Sequence, residues 1–287
     1  MKEKAYAKIN LGLNVLGVRP DGYHEVDMIM QSVSLADEIE FTAAEDFLLT
    51  TDNPMLPCDE SNLAWKAAKI MATITHRKPN VHIHIKKKIF MAAGLAGGSS
   101  DGAAVLRGLN KLWNANLSTK ELEIIGAKLG SDVPFCVAGG TIRATGRGEI
   151  LKPLPDIPVM WIVLAKPYDL DVSTAWVYKN TDIGHEEENG FVNLLEIAIV
   201  KQDKKSIVDN MGNVLESVTI PAYPVIAEIK AAMLSAGALA VLMSGSGPTV
   251  FGLTTDKASA EAIAFVLQAN TALHVAVART IQRSENL

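Results

Sequence analysis

Apolar positions along the chain change period several times, and each change predicts an element. In AYAKINLGLNVLG (5–17) and VDMIMQSVSL (26–35) they alternate every second residue, which predicts two strands joined by a turn at RPDGYHE (19–25). SNLAWKAAKIMATI (61–74) is helical, with Leu63, Ala67, Ile70 and Ile74 on one face and Ser61 placed to cap its start. NVHIHIKKKI (80–89) returns to period two. A glycine-rich stretch follows, then helices near 101–114 and 118–129, with Gly130 ending the second as a left-handed cap.

Three prolines within six residues of LKPLPDIPVM (151–160) separate two apolar runs and predict a boundary. The reading is residues 1–152 and 153–287. Beyond it come a strand near Met160–Ala165, a mostly helical region, a helix near Ala222–Ser235 and two strands flanking SGSGP. A helix near Lys257–Gln268 and a strand near His274–Thr280 close the chain. The main elements of this half follow the β-α-β-β-α-β order of a ferredoxin-like unit. The whole is α+β rather than doubly wound.

At 287 residues the chain can bury a sizeable core. With 27 Lys plus Arg against 32 Asp plus Glu, the net charge of −5 argues against nucleic acid as a partner. Two cysteines are too few for a disulfide framework and fit a reducing compartment. The opening MKEKAYAKINLGLNV has no apolar signal core, and no apolar run is long enough to span a bilayer. The expectation is a cytoplasmic protein without membrane partners, monomer or homodimer.

MAAGLAGGSSDGAAVL (91–106) places glycines and serines at the mouth of a helix. It lacks the ending of a Walker loop and the spacing of G-x-G-x-x-G. Even so, Gly94, Gly97 and Gly98 allow close backbone approach, Ser99 and Ser100 add hydroxyls, and the helix points its positive end at the loop. The plainer reading is a capped turn. A second glycine turn, MSGSGPTVFG (243–252), lies in the other half, and two such backbones can close on one anion. Asp132 in LGSDVPFC reads most simply as a helix cap. Lys8 in AKIN shares a strand face with Asn10 and Tyr6, where a lone lysine is usually solvated.

Taken together, AKINLGLNVLGVRPDGYHE, KKIFMAAGLAGGSSDGAA, LGSDVPF and MSGSGPTVFG resemble the GHMP kinase superfamily of small-molecule kinases over nearly the whole chain. RPDGYHE after AKINL points to the branch acting on 4-diphosphocytidyl-2-C-methyl-D-erythritol in the non-mevalonate isoprenoid pathway. The resemblance implies a two-domain fold, with an N-terminal ribosomal-S5-like domain and a C-terminal ferredoxin-like one. It implies ATP-dependent phosphorylation of that alcohol's 2-hydroxyl with Mg²⁺. Asp132 would take the hydroxyl proton and Lys8 would hold the carboxylate and steady developing charge. Gly94, Leu95, Ala96, Gly97, Gly98, Ser99 and Ser100 match the triphosphate cradle, with Ser100 near Mg²⁺. Asn62 and Lys87 match positions near the nucleoside of ATP, with Lys86 or Lys88 as alternatives to Lys87.

For the acceptor, Tyr23 matches a stacking platform for cytosine and His24 a partner for its edge. Asn10, Thr174, Tyr178, Gly245, Ser246 and Gly247 complete the implied set. Two positions depart from the family pattern: Phe90 stands where proline is common and Gly102 where alanine is, which puts the loop's rigidity in question. Rival readings are another alcohol kinase of the superfamily and a noncatalytic nucleotide- or RNA-binding module. His82 and His84 share a strand face but lack further metal ligands nearby. Cys136 reads as a small hydrophobe, and GHEEEN (184–189) as an exposed acidic loop.

Overall fold

The computed structural model describes residues 1–182 and 190–286, so the GHEEEN expectation falls outside the described residues. The two predicted strands form one long antiparallel hairpin, β1 (Lys2–Val18) and β2 (His24–Ala43), paired from Lys2 opposite Glu40 to Val18 opposite His24. Its turn is held by Arg19 N–H donating to Tyr23 O (2.7 Å) and by Gly22 at φ +83°. β3 (Leu48–Thr51), α1 (Leu63–Ile74), β4 (Val81–Lys86), α2 (Gly97–Leu112), α3 (Thr119–Gly126), α4 (Val133–Ala138), β5 (Thr141–Thr145) and β6 (Ile150–Pro153) follow. The strands make a sheet in the order β3-β4-β2-β1, with β5 paired to β2 and β6 to β5.

Next come β7 (Trp161–Pro167), α5 (Thr174–Asn180), α6 (Phe191–Val200), α7 (Lys204–Asp209), β8 (Gly212–Asn213), α8 (Glu216–Ala222) and α9 (Val225–Ser235). β9 (Ala240–Met243), β10 (Val250–Thr254), α10 (Lys257–Gln268) and β11 (Leu273–Arg279) complete the chain apart from a short terminal turn. The second sheet runs β11-β7-β10-β9 with every pairing antiparallel. That is the ferredoxin-like arrangement its element order predicted. β8 leaves this half to pair with β1 at Gly12 and Leu13, so the second half also contributes an edge to the first sheet.

β1 does not keep one alternation. Register shifts fall between Tyr6 and Lys8, between Asn10 and Gly12, and between Val15 and Gly17. A bulge reverses which face successive odd positions occupy. Ala5, Leu13 and Val15 therefore join the core around α1 and α2, whereas Ala7, Ile9 and Leu11 join a second core shared with Ile162, Leu164 and Phe251 of the other sheet. Ile89, just before the glycine stretch, and Ala93 and Leu95 within it also belong to this second core. The shared core fixes the loop between the two sheets. Lys8 and Asn10 do share a face, but the first bulge parts them from Tyr6.

Local corrections have local causes. Asn62, not Ser61, caps α1, its Oδ1 accepting Ala64 N–H at 2.8 Å while Ser61 turns to Asp59. α2 begins at Gly97 rather than near 101, because Ala96 in the left-handed region turns the chain straight into the helix. α3 ends at Gly126 with Ala127 as its cap, so Gly130 is no left-handed cap. α9 starts three residues later than Ala222, behind Pro224.

Candidate active site

Between the two halves lies a cleft of about 1300 Å³, lined from both. Its floor is built on β1. Lys8 and Asn10 are 5% and 0% exposed, yet both line the cleft, and Lys8 Nζ donates to Asn10 Oδ1 at 2.7 Å. The solvated-lysine reading is overturned by this burial. Asn10 Nδ2 turns in the other direction, onto Met28 Sδ at 3.3 Å.

The two glycine turns meet here, backbone against backbone. Gly94 has φ +71°, and a Cβ there would lie 2.2 Å from the Ser244 carbonyl oxygen, so both conformation and space demand glycine. Ser244 Oγ donates to Gly94 O at 3.0 Å. A Cβ on Gly245 would lie 3.4 Å from Lys8 Nζ, which places the second turn beside the buried ammonium. α2 then opens into the cleft with no side chain capping its N-terminus and no acidic residue in its first turn. Gly94, Ala96, Gly97, Gly98 and Ser99 line the space, as do Gly245, Ser246 and Gly247. Uncapped first-turn N–H groups in a glycine setting suit an anion.

Leu95 and Ser100 belong to the loop without facing the cleft. Each is 1% exposed: Leu95 O accepts Lys8 N–H at 3.1 Å, and Ser100 Oγ donates to Tyr6 O at 2.5 Å. Ser100 N–H is also used, on Ala96 O at 2.8 Å. Ser100 therefore ties the start of α2 to β1 instead of offering a hydroxyl to a metal ion. Asn62 likewise spends both side-chain groups on structure, Nδ2 donating to Pro57 O at 2.7 Å, and it does not line the cleft.

Lys87 lines the cleft with its ammonium held from behind by two carboxylates, Asp37 and, at 2.8 Å, Asp101. Burial alone would push this lysine's pKa down, and Asp101 and Asp37 outweigh it, leaving the pKa above the ordinary value. Burial pushes the Asp101 carboxyl up to about 8, against the pull of Lys87 and with Asp37's charge adding to the rise. Among the described residues Asp101 Oδ1 has no hydrogen-bond partner. Asp37 Oδ1 meanwhile accepts the N–H groups of Lys88 (2.5 Å) and Ile89 (2.8 Å), locking the strand end that leads into the loop. Lys86 instead pairs with Glu40 on the surface.

Asp132 stands at the N-cap position of α4 but makes no capping bond. It lines the cleft, and its charge is felt by its neighbours: after burial itself, Asp132 is the cause that pushes both the Tyr178 phenol and the Cys136 thiol above their ordinary pKa values. Cys136 is 4% exposed and stays a thiol, as a small core residue should. Among the described residues no ion pair within 4 Å joins Asp132 to Lys8; the lysine is held by Asn10 instead.

The far end of the cleft is aromatic. Tyr23 is 53% exposed, and His24 lies 5.3 Å from the Tyr178 ring, so β2 and α5 face each other across the opening. Thr174 Oγ1 and Ser246 Oγ bond at 2.9 Å, tying α5 to the second glycine turn.

Family models place the fold. "GHMP kinases N terminal domain" matches residues 62–140 and "GHMP kinases C terminal" matches 195–272. A 4-diphosphocytidyl-2-C-methyl-D-erythritol kinase of Gloeobacter violaceus is 45% identical over 97% of this chain and 94% of its own. That of Bacillus subtilis (strain 168) is 50% identical over 91% and 90%. The chain belongs to this kinase family. A solved 4-(cytidine 5'-diphospho)-2C-methyl-D-erythritol kinase superposes with TM-score 0.83 at 32% identity, covering 98% of this chain and 99% of that one. A homoserine kinase from Cytophaga hutchinsonii shares the fold, at TM-score 0.76 and 20% identity over 98% and 95%.

The two departures from the kinase pattern have structural reasons. A Cβ on Gly102 would sit 3.3 Å from Leu63 Cβ, so glycine lets α2 approach α1 closely. Phe90 stacks on His274 of β11 at 5.1 Å, anchoring the loop entrance to the other half without proline. Sequence reading missed Asn213, whose Nδ2 donates to Met243 O and Gly245 O at 2.8 Å each and shapes the second glycine turn. It missed Asn286, whose Nδ2 donates to Val137 O at 3.1 Å and Cys136 O at 3.4 Å, fastening the end of α4. Neither lies in a glycine-rich stretch. His82 and His84 are bridged by Thr50 Oγ1 at 2.7 and 2.8 Å, and no group of three or more His, Cys, Asp or Glu able to hold a metal occurs among the described residues.

Proposed function

We propose that Asp132 and Lys8 carry out the reaction of this kinase family in this chain, phosphoryl transfer from ATP to the 2-hydroxyl of 4-diphosphocytidyl-2-C-methyl-D-erythritol. The acceptor oxygen attacks the γ-phosphorus, the bond to the β-phosphate oxygen breaks, and ADP leaves with that electron pair. The hydroxyl proton passes to the Asp132 carboxylate. Lys8 stabilises charge on the transferring group from a buried site, where its field is little screened. The N–H groups of Gly97, Gly98 and Ser99, with the backbone of Gly94 and Ala96, cradle the triphosphate. Leu95 and Ser100 hold that cradle on β1. Mg²⁺ enters with the nucleotide as part of the substrate, while the Ser100 hydroxyl stays on Tyr6 O. Lys87 borders the nucleotide end; Asn62 supports it only by capping α1.

Tyr23, His24 and Tyr178 receive the cytosine, with Asn10, Thr174, Gly245, Ser246 and Gly247 along the path to the reacting hydroxyl. Residues 1–152 and 153–287 act as the two domains that meet at this cleft, as a monomer or homodimer in the cytoplasm.

The observation that carries the reading is Asp132 itself: a carboxylate at a helix start that caps nothing and borders the same cleft as a buried lysine and two glycine turns. The test is ADP release from ATP and Mg²⁺ across three acceptors, the cytidyl alcohol, mevalonate and homoserine, by wild type and Asp132→Asn. Turnover with the cytidyl alcohol alone, and a fall in kcat of about 10²–10⁴ in the variant with ATP still bound, is the expected result. Near-normal turnover by folded Asp132→Asn would remove it as the base.

A further inference from the structure

The acceptor's diphosphate brings negative charge that the cleft must meet, and its cations differ in how free they are. Lys8 is engaged by Asn10, and Lys87 is held between Asp37 and Asp101. Arg147 is differently placed. It sits at the tip of the β5–β6 hairpin, lines the cleft, and lays its guanidinium 4.8 Å from the Tyr23 ring centroid. Its one side-chain bond is a long one, Nε to Glu149 Oε1 at 3.5 Å, and its two terminal nitrogens donate to no protein group among the described residues.

The hairpin does not need this side chain. Val26 N–H donates to Gly146 O and Gly146 N–H to Glu25 Oε1, each at 2.9 Å, and Gly148 N–H closes the turn on Thr145 O at 3.1 Å. These bonds set the hairpin tip beside the Tyr23–His24 turn whatever residue stands at 147. A half-exposed arginine (30% of its side chain) fixed at its base with a free terminal fork is suited to a phosphate, which its planar donors meet two at a time.

We propose that Arg147 is a binding and specificity residue for the acceptor, gripping the diphosphate that follows the cytidine held at Tyr23. The inference rests on the reading of this end of the cleft as the acceptor site. Arg147 belongs to the hairpin beside Tyr23 and not to the glycine turns assigned to the nucleotide donor.

The test compares two ligands that differ only in the charged group, cytidine and CDP, titrated into wild type and Arg147→Ala by calorimetry, with acceptor KM measured alongside. Loss of a charge-assisted fork predicts CDP affinity lower by about 10- to 100-fold and acceptor KM higher to match, with cytidine affinity and the KM for ATP within about twofold of wild type. Arg147→Lys, which keeps the charge but not the fork, should recover part of the CDP affinity. Equal losses for cytidine and CDP would overturn the proposal by making Arg147 a support for the Tyr23 ring. Unchanged affinity for both ligands would overturn it while leaving the acceptor site in place. Wild type that binds neither ligand would overturn the acceptor-site reading and this proposal with it.

Discussion

Gly98 offers a test in which stability and nucleotide binding move in opposite directions. The three glycines of the loop are not equivalent. At Gly94 any side chain meets the Ser244 carbonyl at 2.2 Å and a left-handed backbone, so a variant there reports damage to the fold. At Gly97 a Cβ lies 3.2 Å from Ile89 Cγ2 and 3.5 Å from Lys87 Nζ, so valine would disturb the buried lysine as well as any ligand. Gly98 has nothing within 4 Å of its Cβ position and is the second residue of α2. In the empty protein Gly98→Ala is therefore free of clash and raises helix propensity, worth up to about 1 kcal/mol of added stability.

If the first turn of α2 holds the triphosphate, the same methyl occupies space that a phosphate oxygen needs. Losing one hydrogen bond to a charged group costs roughly 1.5–3 kcal/mol, or about 10- to 150-fold in ATP affinity. Gly98→Val should weaken binding further. Calorimetric titration with ATP and Mg²⁺, beside thermal unfolding without nucleotide, reads both effects. A higher Tm with weaker ATP binding is the expected pair. A higher Tm with unchanged affinity would mean that the triphosphate does not sit against this turn, and the cradle would be a capped turn after all.

Other expectations follow from single contacts. Tyr23→Ala should remove stacking worth roughly 1–3 kcal/mol and raise acceptor KM about five- to 150-fold while the KM for ATP stays put; the reverse pattern would assign the turn to the wrong ligand. Asp101, with its pKa raised to about 8, binds its proton more tightly folded than unfolded, so its contribution to stability is present below about pH 4 and is lost as pH rises through 8. Urea unfolding of wild type and Asp101→Asn across that window should show the variant gaining on wild type as pH rises, and a constant difference would refute the shift. Asn286→Ala should lose two bonds to the carbonyls of Cys136 and Val137, destabilise by about 1–3 kcal/mol, and lower kcat more than either KM because Asp132 stands at the N-cap position of the same helix; a change in KM alone would detach the chain end from the chemistry.

The glycine-rich helix start was legible because such a turn leaves a local trace, glycines and hydroxyls at the mouth of an alanine-rich helical run. The ferredoxin-like half was legible from the order of its periods alone. Lys8 and Asp132, with 123 residues between them, were paired only through resemblance, since composition makes each look ordinary. The Asp37–Lys87–Asp101 network was half seen. Lys87 was marked for the nucleotide, but its partners come from β2 and α2, and ion pairing across elements leaves no local pattern. The same is true of Arg147, whose place beside Tyr23 comes from the packing of one hairpin against another. Ser100 was misjudged for a different reason: which hydroxyl of a Ser-Ser pair faces out depends on helical phase, and α2 begins four residues earlier than periodicity suggested.

The bulges of β1 explain how two polar side chains come to be buried in the middle of a strand. With unbroken alternation, Ala5, Ala7, Ile9, Leu11, Leu13 and Val15 would share one face and serve one core. The register shifts at Tyr6–Lys8 and Asn10–Gly12 instead turn the central three residues toward the second sheet and leave Lys8 and Asn10 pointing into the cleft between the halves. There Lys8 meets a neutral amide rather than a carboxylate. A buried ammonium without a counter-ion is costly, and a carboxylate bonded to it would quench the field it casts. Asn10 satisfies one of its protons without neutralising it, which suits the field that the proposed mechanism asks Lys8 to cast. In the proposed mechanism Lys8 and Asp132 therefore need no direct contact, because one acts on the transferring group and the other on the acceptor's proton.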